Sequence, residues 1–252
     1  MILLFTDFGW EGPYVGQMKA ALHAADTNVP PLVDLMHDAP AWNPRASAYL
    51  LAAAVAHTPV CSPCVLAVVD PGVGGARRAV VIDAGGTRFL GPDNGLGAAL
   101  IARAREEGAT VRAWEIPVSD AAAPTFHGRD VFAPAAVKAW NGVFGGFRPL
   151  AAEALDGWDA SPDLDEVVYI DRYGNAVTGR RAATRMGDWE LRVRGNRLRR
   201  ARTFAEVDPG TPFWYENSSG LAEIAVNQGC AAGALDLAVG VPISWYNPDI
   251  PK

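Results

Sequence analysis

Apolar residues in the first half of the chain fall in short unbroken runs separated by stretches of helical period. Ile2 to Phe5 and Val65 to Val69 are continuous apolar runs, the pattern of strands covered on both faces. Pro31 to Met36 reads as a further strand. Val15, Met18, Leu22 and Ala25 recur at helical spacing, so Tyr14 to Ala25 predicts a helix. The Ala- and Leu-rich segment Ala46 to Ala56 predicts a second, and Leu96 to Arg105 and Val131 to Trp140 predict two more. Ala79 to Ile82 and Arg88 to Leu90 flank the turn Gly85-Gly86 as a strand pair. Strands alternating with helices imply an α/β layer fold with a largely parallel sheet.

The pattern changes after Gly145-Gly146. A weakly periodic stretch runs through Pro149, Gly157 and Pro162. Beyond it come short alternating runs at Val167 to Asp171, Trp189 to Val193, Pro212 to Glu216 and Leu221 to Val226, punctuated by Gly, Asn and Pro. That is the pattern of a small sandwich or barrel. The expected organisation is an N-terminal α/β domain over residues 1–150, a linker over 151–162, and a smaller all-β, barrel-like domain over 163–252.

Composition narrows the function classes. With 252 residues, half of them apolar, the chain can bury a large core without staples. Its longest apolar run, Ala48 to Ala56, is far short of a membrane span. The start, Met1-Ile-Leu-Leu-Phe-Thr-Asp7, lacks the basic region of a signal peptide, so a cytoplasmic location is expected. The net charge of -6 argues against nucleic acid as the main partner. The basic residues between Arg172 and Arg202 are read as a solvated face or a subunit contact. Cys61-Ser-Pro-Cys64 has CxxC spacing, but Cys230 is the only other thiol. It is read as two small residues before a strand, and no metal is expected.

Polar groups collect where apolar runs stop, which is where α/β sheets bind ligands. Thr6-Asp-Phe-Gly9 follows the first strand and Met36-His-Asp38 the second. Val69-Asp-Pro-Gly-Val-Gly-Gly-Ala-Arg-Arg78 follows the third, and Thr125-Phe-His-Gly-Arg-Asp130 precedes a helix. The glycine-rich turn lacks both the Walker lysine and the GxGxxG spacing. Pro92-Asp-Asn-Gly95 reads as a structural turn that caps the helix from Leu96. Asp171-Arg-Tyr-Gly-Asn175 and Asn217-Ser-Ser-Gly220 add two polar turns in the second half.

Together these motifs, in this order from Leu3 to about Val241, resemble the S-adenosyl-L-methionine (SAM) hydrolases, also called SAM hydroxide adenosyltransferases. These are relatives of the SAM-dependent fluorinases and chlorinases. The resemblance implies an α/β domain followed by a β-barrel-like domain. It also implies a homotrimer with SAM at the subunit interface, and attack of water on the ribose C5′ to give adenosine and L-methionine. SAM is then the substrate and no cofactor is used.

The resemblance assigns Asp70, Arg77 and His127 as the triad that handles water. A sulfonium makes methionine a neutral leaving group, so the chemistry needs an oriented water and a held substrate rather than an acid. Arg77 is expected to keep Asp70 ionised. His127 ordinarily titrates near neutrality and on that ground is the better proton acceptor, although sequence leaves open which of the two takes the proton. Asp7 is expected to accept from the ribose diol, Trp42 to cover the nucleoside, and Thr125 and Phe126 to line the ribose side. In the second half, Asn175 is expected at the adenine edge and Asp171 at the methionine ammonium. Ser218, with Ser219, is expected at the amino-acid end, and the backbone from Val226 to Gln228 in the adenine pocket.

Two positions depart from the family pattern. Gly12 stands where a second acid usually follows the first motif, with Glu11 beside it. Ser219 stands where the fluorinases carry arginine. The competing readings are a non-catalytic adenosine- or SAM-binding protein, a halide transferase, and a metal-dependent hydrolase.

Overall fold

The computed structural model describes residues 1–182 and 189–247. It falls into two compact units, Met1–Pro162 and Asp163–Lys252. The first unit contains strands β1 (Ile2–Thr6), β2 (Leu32–Met36), β3 (Cys64–Val68), β4 (Ala79–Ala84), β5 (Thr87–Pro92), β6 (Val111–Ile116) and β7 (Arg148–Leu150). Its helices are α1 (Tyr14–Ala25), α2 (Pro44–Ala56), α3 (Ala98–Glu106) and α4 (Ala133–Trp140). The strands form one sheet in the order β2-β1-β3-β5-β4-β6-β7. The pairs β2/β1, β1/β3 and β3/β5 are parallel, while β4 runs antiparallel to β5 and β6, and β7 to β6. All strands but β4 and β7 therefore point the same way.

Alternation along each strand divides the core. Ile2, Leu4, Leu66 and Val81 face α1 and α4, where Met18, Leu22 and Ala136 meet them. Leu3, Phe5, Val65 and Ile82 face α2 and α3, where Leu51, Val55 and Ile101 meet them. A sheet covered on both faces needs apolar residues at successive positions, which is why β1 and β3 read as unbroken runs.

The structure differs from the sequence reading in two places. Residues 151–162, expected as a linker, pack on the first unit. Leu155 is buried in the α2/α3 core, and the Arg105 guanidinium lies 4.1 Å over the Trp158 ring. The Arg103 guanidinium also donates to the Pro162 carbonyl at 3.2 Å. The segment's polar turns hid two anchors, one apolar and one aromatic, that hold it without periodic structure. Strands β6 and β7 were not anticipated. The run Val111-Arg-Ala-Trp-Glu-Ile116 is mixed because β6 lies toward the sheet edge and is only partly buried.

The second unit contains β8 (Leu164–Ile170), β9 (Ala176–Arg181), β10 (Glu190–Val193), β11 (Asn196–Leu198), β12 (Pro212–Glu216), β13 (Leu221–Val226), a short helix α5 (Ala231–Ala234) and β14 (Ser244–Tyr246). It has a four-stranded sheet, β12-β13-β9-β8, and a three-stranded sheet, β11-β10-β14. Their pairings are antiparallel. Val167, Leu191, Trp214, Ile224 and Ile243 contribute to one core spanning both sheets. Residues 183–188, part of the basic stretch, lie outside the described residues.

Candidate active site

In the first unit the site grows from the carboxyl ends of β1 and β3. These strands are parallel neighbours, with Thr6 opposite Val68, so Asp7 and Asp70 emerge side by side. The chain leaves β1 toward β2 on one side and β3 lies on the other, which makes this a crevice of the kind that binds ligands in α/β sheets. The third wall is the loop before α4, where His127 stands at the start of a wide π-helical turn, Gly128–Phe132. Gly74 lets the Asp70 loop approach this wall. Its φ is +76°, and a Cβ there would lie 2.5 Å from the Pro124 carbonyl oxygen. The result is a cavity of about 120 Å3, whose lining includes Asp7, Trp42, Asp70, Thr125, Phe126 and His127.

Arg77 lies behind that lining and ties two of its members together. Its Nε donates to Asp70 Oδ1 at 3.1 Å and Oδ2 at 3.0 Å, and its Nη2 also donates to Oδ2. The same Nη2 lies 2.9 Å from His127 Nδ1. A guanidinium can only donate, so Nδ1 of His127 accepts. The neutral ring then carries its proton on Nε2. Burial, and after it the Arg77 charge, hold the His127 pKa below its ordinary value. His127 thus offers an N–H with its other nitrogen already occupied, which counts against the expectation that it is the better proton acceptor. Asp70 keeps the lone pairs of a carboxylate in the cavity.

Asp7 accepts the Trp42 amide at 3.1 Å through Oδ2. Burial pushes its carboxyl pKa up, against the pull of that amide. Trp42 has φ of +56°, a left-handed backbone that a bulky residue rarely adopts, and its side chain is 79% exposed. Such strain is held in place by its surroundings, here by the hydrogen bond to Asp7. Phe126 packs edge-on against Phe8 at 5.8 Å and Tyr14 at 5.5 Å, closing the aromatic side.

The second unit gathers its own set. Asp171 and Asn175 close the hairpin from β8 to β9. Asp171 Oδ1 accepts the Tyr173 and Asn175 amides, each at 2.8 Å, and Asn175 Nδ2 donates to Asp171 Oδ2 at 3.0 Å. The turn that leaves β13 at Val226 and runs through Gln228 leads to a segment that packs on this hairpin. The Ala232 amide donates to the Gly174 carbonyl at 2.8 Å. A Cβ on Gly174 would fall 2.2 Å from Cys230 Sγ, and Gly174 has φ of +83°. Ser218 and Ser219 form the turn between β12 and β13. Asn217 Oδ1 holds it by accepting the Ser219 amide at 2.9 Å and the Leu221 amide at 3.0 Å.

Sequence reasoning missed Glu223. It is buried on β13, accepting the Tyr215 hydroxyl at one oxygen and Asn217 Nδ2 at the other, the latter at 2.8 Å. Burial raises its pKa from the ordinary carboxylate value, against the pull of the Tyr215 and Asn217 hydrogen bonds. The available signal was one acid in the otherwise apolar run Leu221-Ala-Glu-Ile-Ala-Val226. Glu11 and Gly12 are exposed. Among the described residues no group of three or more His, Cys, Asp or Glu side chains is arranged to hold a metal ion. No helix among them is long and apolar enough to cross a membrane.

Residues 2–145 match the family described as the SAM hydroxide adenosyltransferase N-terminal domain, and residues 165–244 match its C-terminal domain. The chain belongs to this family. A relative from Thermus thermophilus named (R)-S-adenosyl-L-methionine hydrolase is 41% identical, covering 96% of this chain and 98% of its own length. One of the same name from Salinispora arenicola is 35% identical over 93% of each chain. Among solved structures, an uncharacterized conserved protein from Thermotoga maritima aligns with a TM-score of 0.83 at 28% identity, covering 98% of this chain and 100% of its own. A conserved hypothetical protein from Thermus thermophilus aligns at 0.76 with 38% identity, covering 97% of this chain and 99% of its own. The SAM hydroxide adenosyltransferase fold is thus shared along nearly the whole chain.

Proposed function

We propose that this protein is a SAM hydrolase in which water attacks C5′ of the ribose and expels L-methionine, leaving adenosine. Membership of the family and the named hydrolase relatives support the reaction. The observation that carries its mechanism is the fan of hydrogen bonds from Arg77 to Asp70 and His127 at one cavity wall.

In this reading His127 donates its Nε2 proton to the attacking water and orients it. Asp70, held by Arg77, accepts the proton that the water loses as its oxygen bonds to C5′. The C5′–S electron pair departs with methionine as a neutral thioether, so the leaving group needs no acid. Asp7 takes the ribose hydroxyls, Trp42 covers the nucleoside, and Thr125 and Phe126 bound the sugar. Asp171, Asn175, Ser218, Ser219 and the turn at Val226 to Gln228 take the adenine and amino-acid ends. SAM is substrate rather than cofactor. The assembly is a homotrimer whose subunit interface completes the site. Free rather than bridged cysteines support a cytoplasmic location.

The test is incubation with SAM followed by chromatography of the products. Wild type is expected to release adenosine and methionine in equal amounts. His127→Ala should reduce turnover about 100-fold or more while leaving SAM affinity within a few-fold. Bound SAM with no adenosine formed would overturn hydrolysis. A halogenated deoxyadenosine in halide buffer would redirect it.

A further inference from the structure

The second polar strand end, Met36-His-Asp38, plays no part in the chemistry above, yet His37 is completely buried. It belongs to a chain of side chains that starts on α1 and ends beside Asp7. Lys19 Nζ on α1 donates to Asp34 Oδ2 on β2 at 2.6 Å. Asp34 Oδ1 lies 2.9 Å from His37 Nε2, and His37 Nδ1 lies 2.8 Å from Thr6 Oγ1, itself completely buried at the end of β1. Thr6 Oγ1 accepts the Phe8 amide at 3.2 Å.

The chemistry of the groups gives the chain one direction. An ammonium only donates and a carboxylate only accepts, so Asp34 takes a proton from Lys19 and another from His37 Nε2. Thr6 Oγ1 is buried and already accepts the Phe8 amide, so its own hydroxyl proton goes to His37 Nδ1, which accepts it. That rotamer turns a Thr6 lone pair toward the Phe8 N–H. His37 also acts through its backbone, since its carbonyl accepts the Gly9 amide at 2.7 Å. The two amides that follow Asp7 are therefore both held from His37, one through the Thr6 hydroxyl and one directly. The Trp10 ring packs edge-on over the imidazole at 4.7 Å.

We propose that the chain Lys19–Asp34–His37–Thr6, half-buried at its first two members and fully buried at its last two, is a positioning device for Asp7, setting the direction in which its carboxylate meets the ribose. This rests on the reading of Asp7 as the ribose acceptor. Displacing that carboxylate moves C5′ relative to the water held by Asp70 and His127, and in-line attack tolerates little displacement. Affinity for SAM is spread over contacts to the adenine and amino-acid ends as well. The loss accordingly falls on kcat more than on KM.

The experiment is a double-mutant cycle between Thr6→Val and Asp7→Asn. Valine is close to threonine in shape and removes only the hydroxyl link. Thr6→Val is expected to lower kcat roughly 10- to 100-fold with KM changed less than about threefold, and Thr6→Ser to restore it. In the Asp7→Asn background the same change should cost less than about threefold, because residues in one network are not additive. A merely structural role would give the full loss in both backgrounds, and that result overturns the proposal. An active Thr6→Val enzyme beside an impaired Asp7→Asn enzyme overturns the proposal and leaves the ribose reading standing. Full activity in Asp7→Asn overturns both. Should Thr6→Val not fold, Asp34→Asn enters the same cycle, with the same expected non-additivity and the same overturning result.

Discussion

Arg77 governs what its neighbours can do with protons. By donating to Nδ1 it leaves His127 as a donor, and its charge together with burial keeps the ring neutral below the pH at which a free histidine titrates. An unfolded chain binds this proton near the ordinary histidine pKa, while the folded chain binds it only at lower pH. Between those two points the unfolded state holds more protons, so stability contributed here is present above the ordinary pKa and declines as pH falls through the window. The rate has the same origin, because the donor tautomer persists through that window. We expect NMR titration of His127 to show its midpoint well below that of an exposed histidine, with no matching break in kcat near the ordinary value. Arg77→Gln should move the midpoint back up; an unmoved midpoint would show that Arg77 is not its cause. None of this polarity was legible in the sequence. The three residue types were, but which nitrogen faces the guanidinium depends on where a π-helical turn sets His127.

At the scale of elements, hairpins and strand ends carry the candidate site, and they were legible unevenly. The unbroken apolar runs of β1 and β3 announced doubly covered strands, and the acids that ended them marked the crevice. Strand β6, half-buried and mixed in pattern, gave no such signal, and neither did the role of Glu223 within β13. The Asp171 to Asn175 hairpin was legible as turn chemistry, but its fit against Cys230 was not, because that contact joins segments more than fifty residues apart. It yields a sharp expectation. Gly174→Ala adds a methyl group that collides with Cys230 Sγ and strains a left-handed backbone, so it should destabilise the protein by about 1–3 kcal/mol and weaken SAM binding. Cys230→Ala in the same chain should relieve part of the collision. Thermal denaturation of the single and double variants decides the matter, and additive losses would rule out the contact.

At the scale of the whole molecule, the proposed trimer makes a prediction that a self-contained monomer would not. Variants disabled in different units, such as His127→Ala and Asn175→Ala, should each be nearly inactive. Unfolded together and refolded as a mixture, they should regain activity, since some subunit interfaces would pair two intact contributions. Sedimentation would confirm assembly, and an inactive mixture of correctly assembled trimers would place all contributions within one copy. The packing of residues 151–162 has a consequence for how halves of such proteins can be exchanged. Composition suggested a natural seam near residue 150, where the chain turns polar and irregular. A crossover there would carry Leu155 and Trp158 away from the core and the arginine that receive them. Moved to the junction of 162 and 163, the crossover keeps each inherited piece with its own packing, so a chimera joined there with a relative's C-terminal unit retains the first unit's contacts whole.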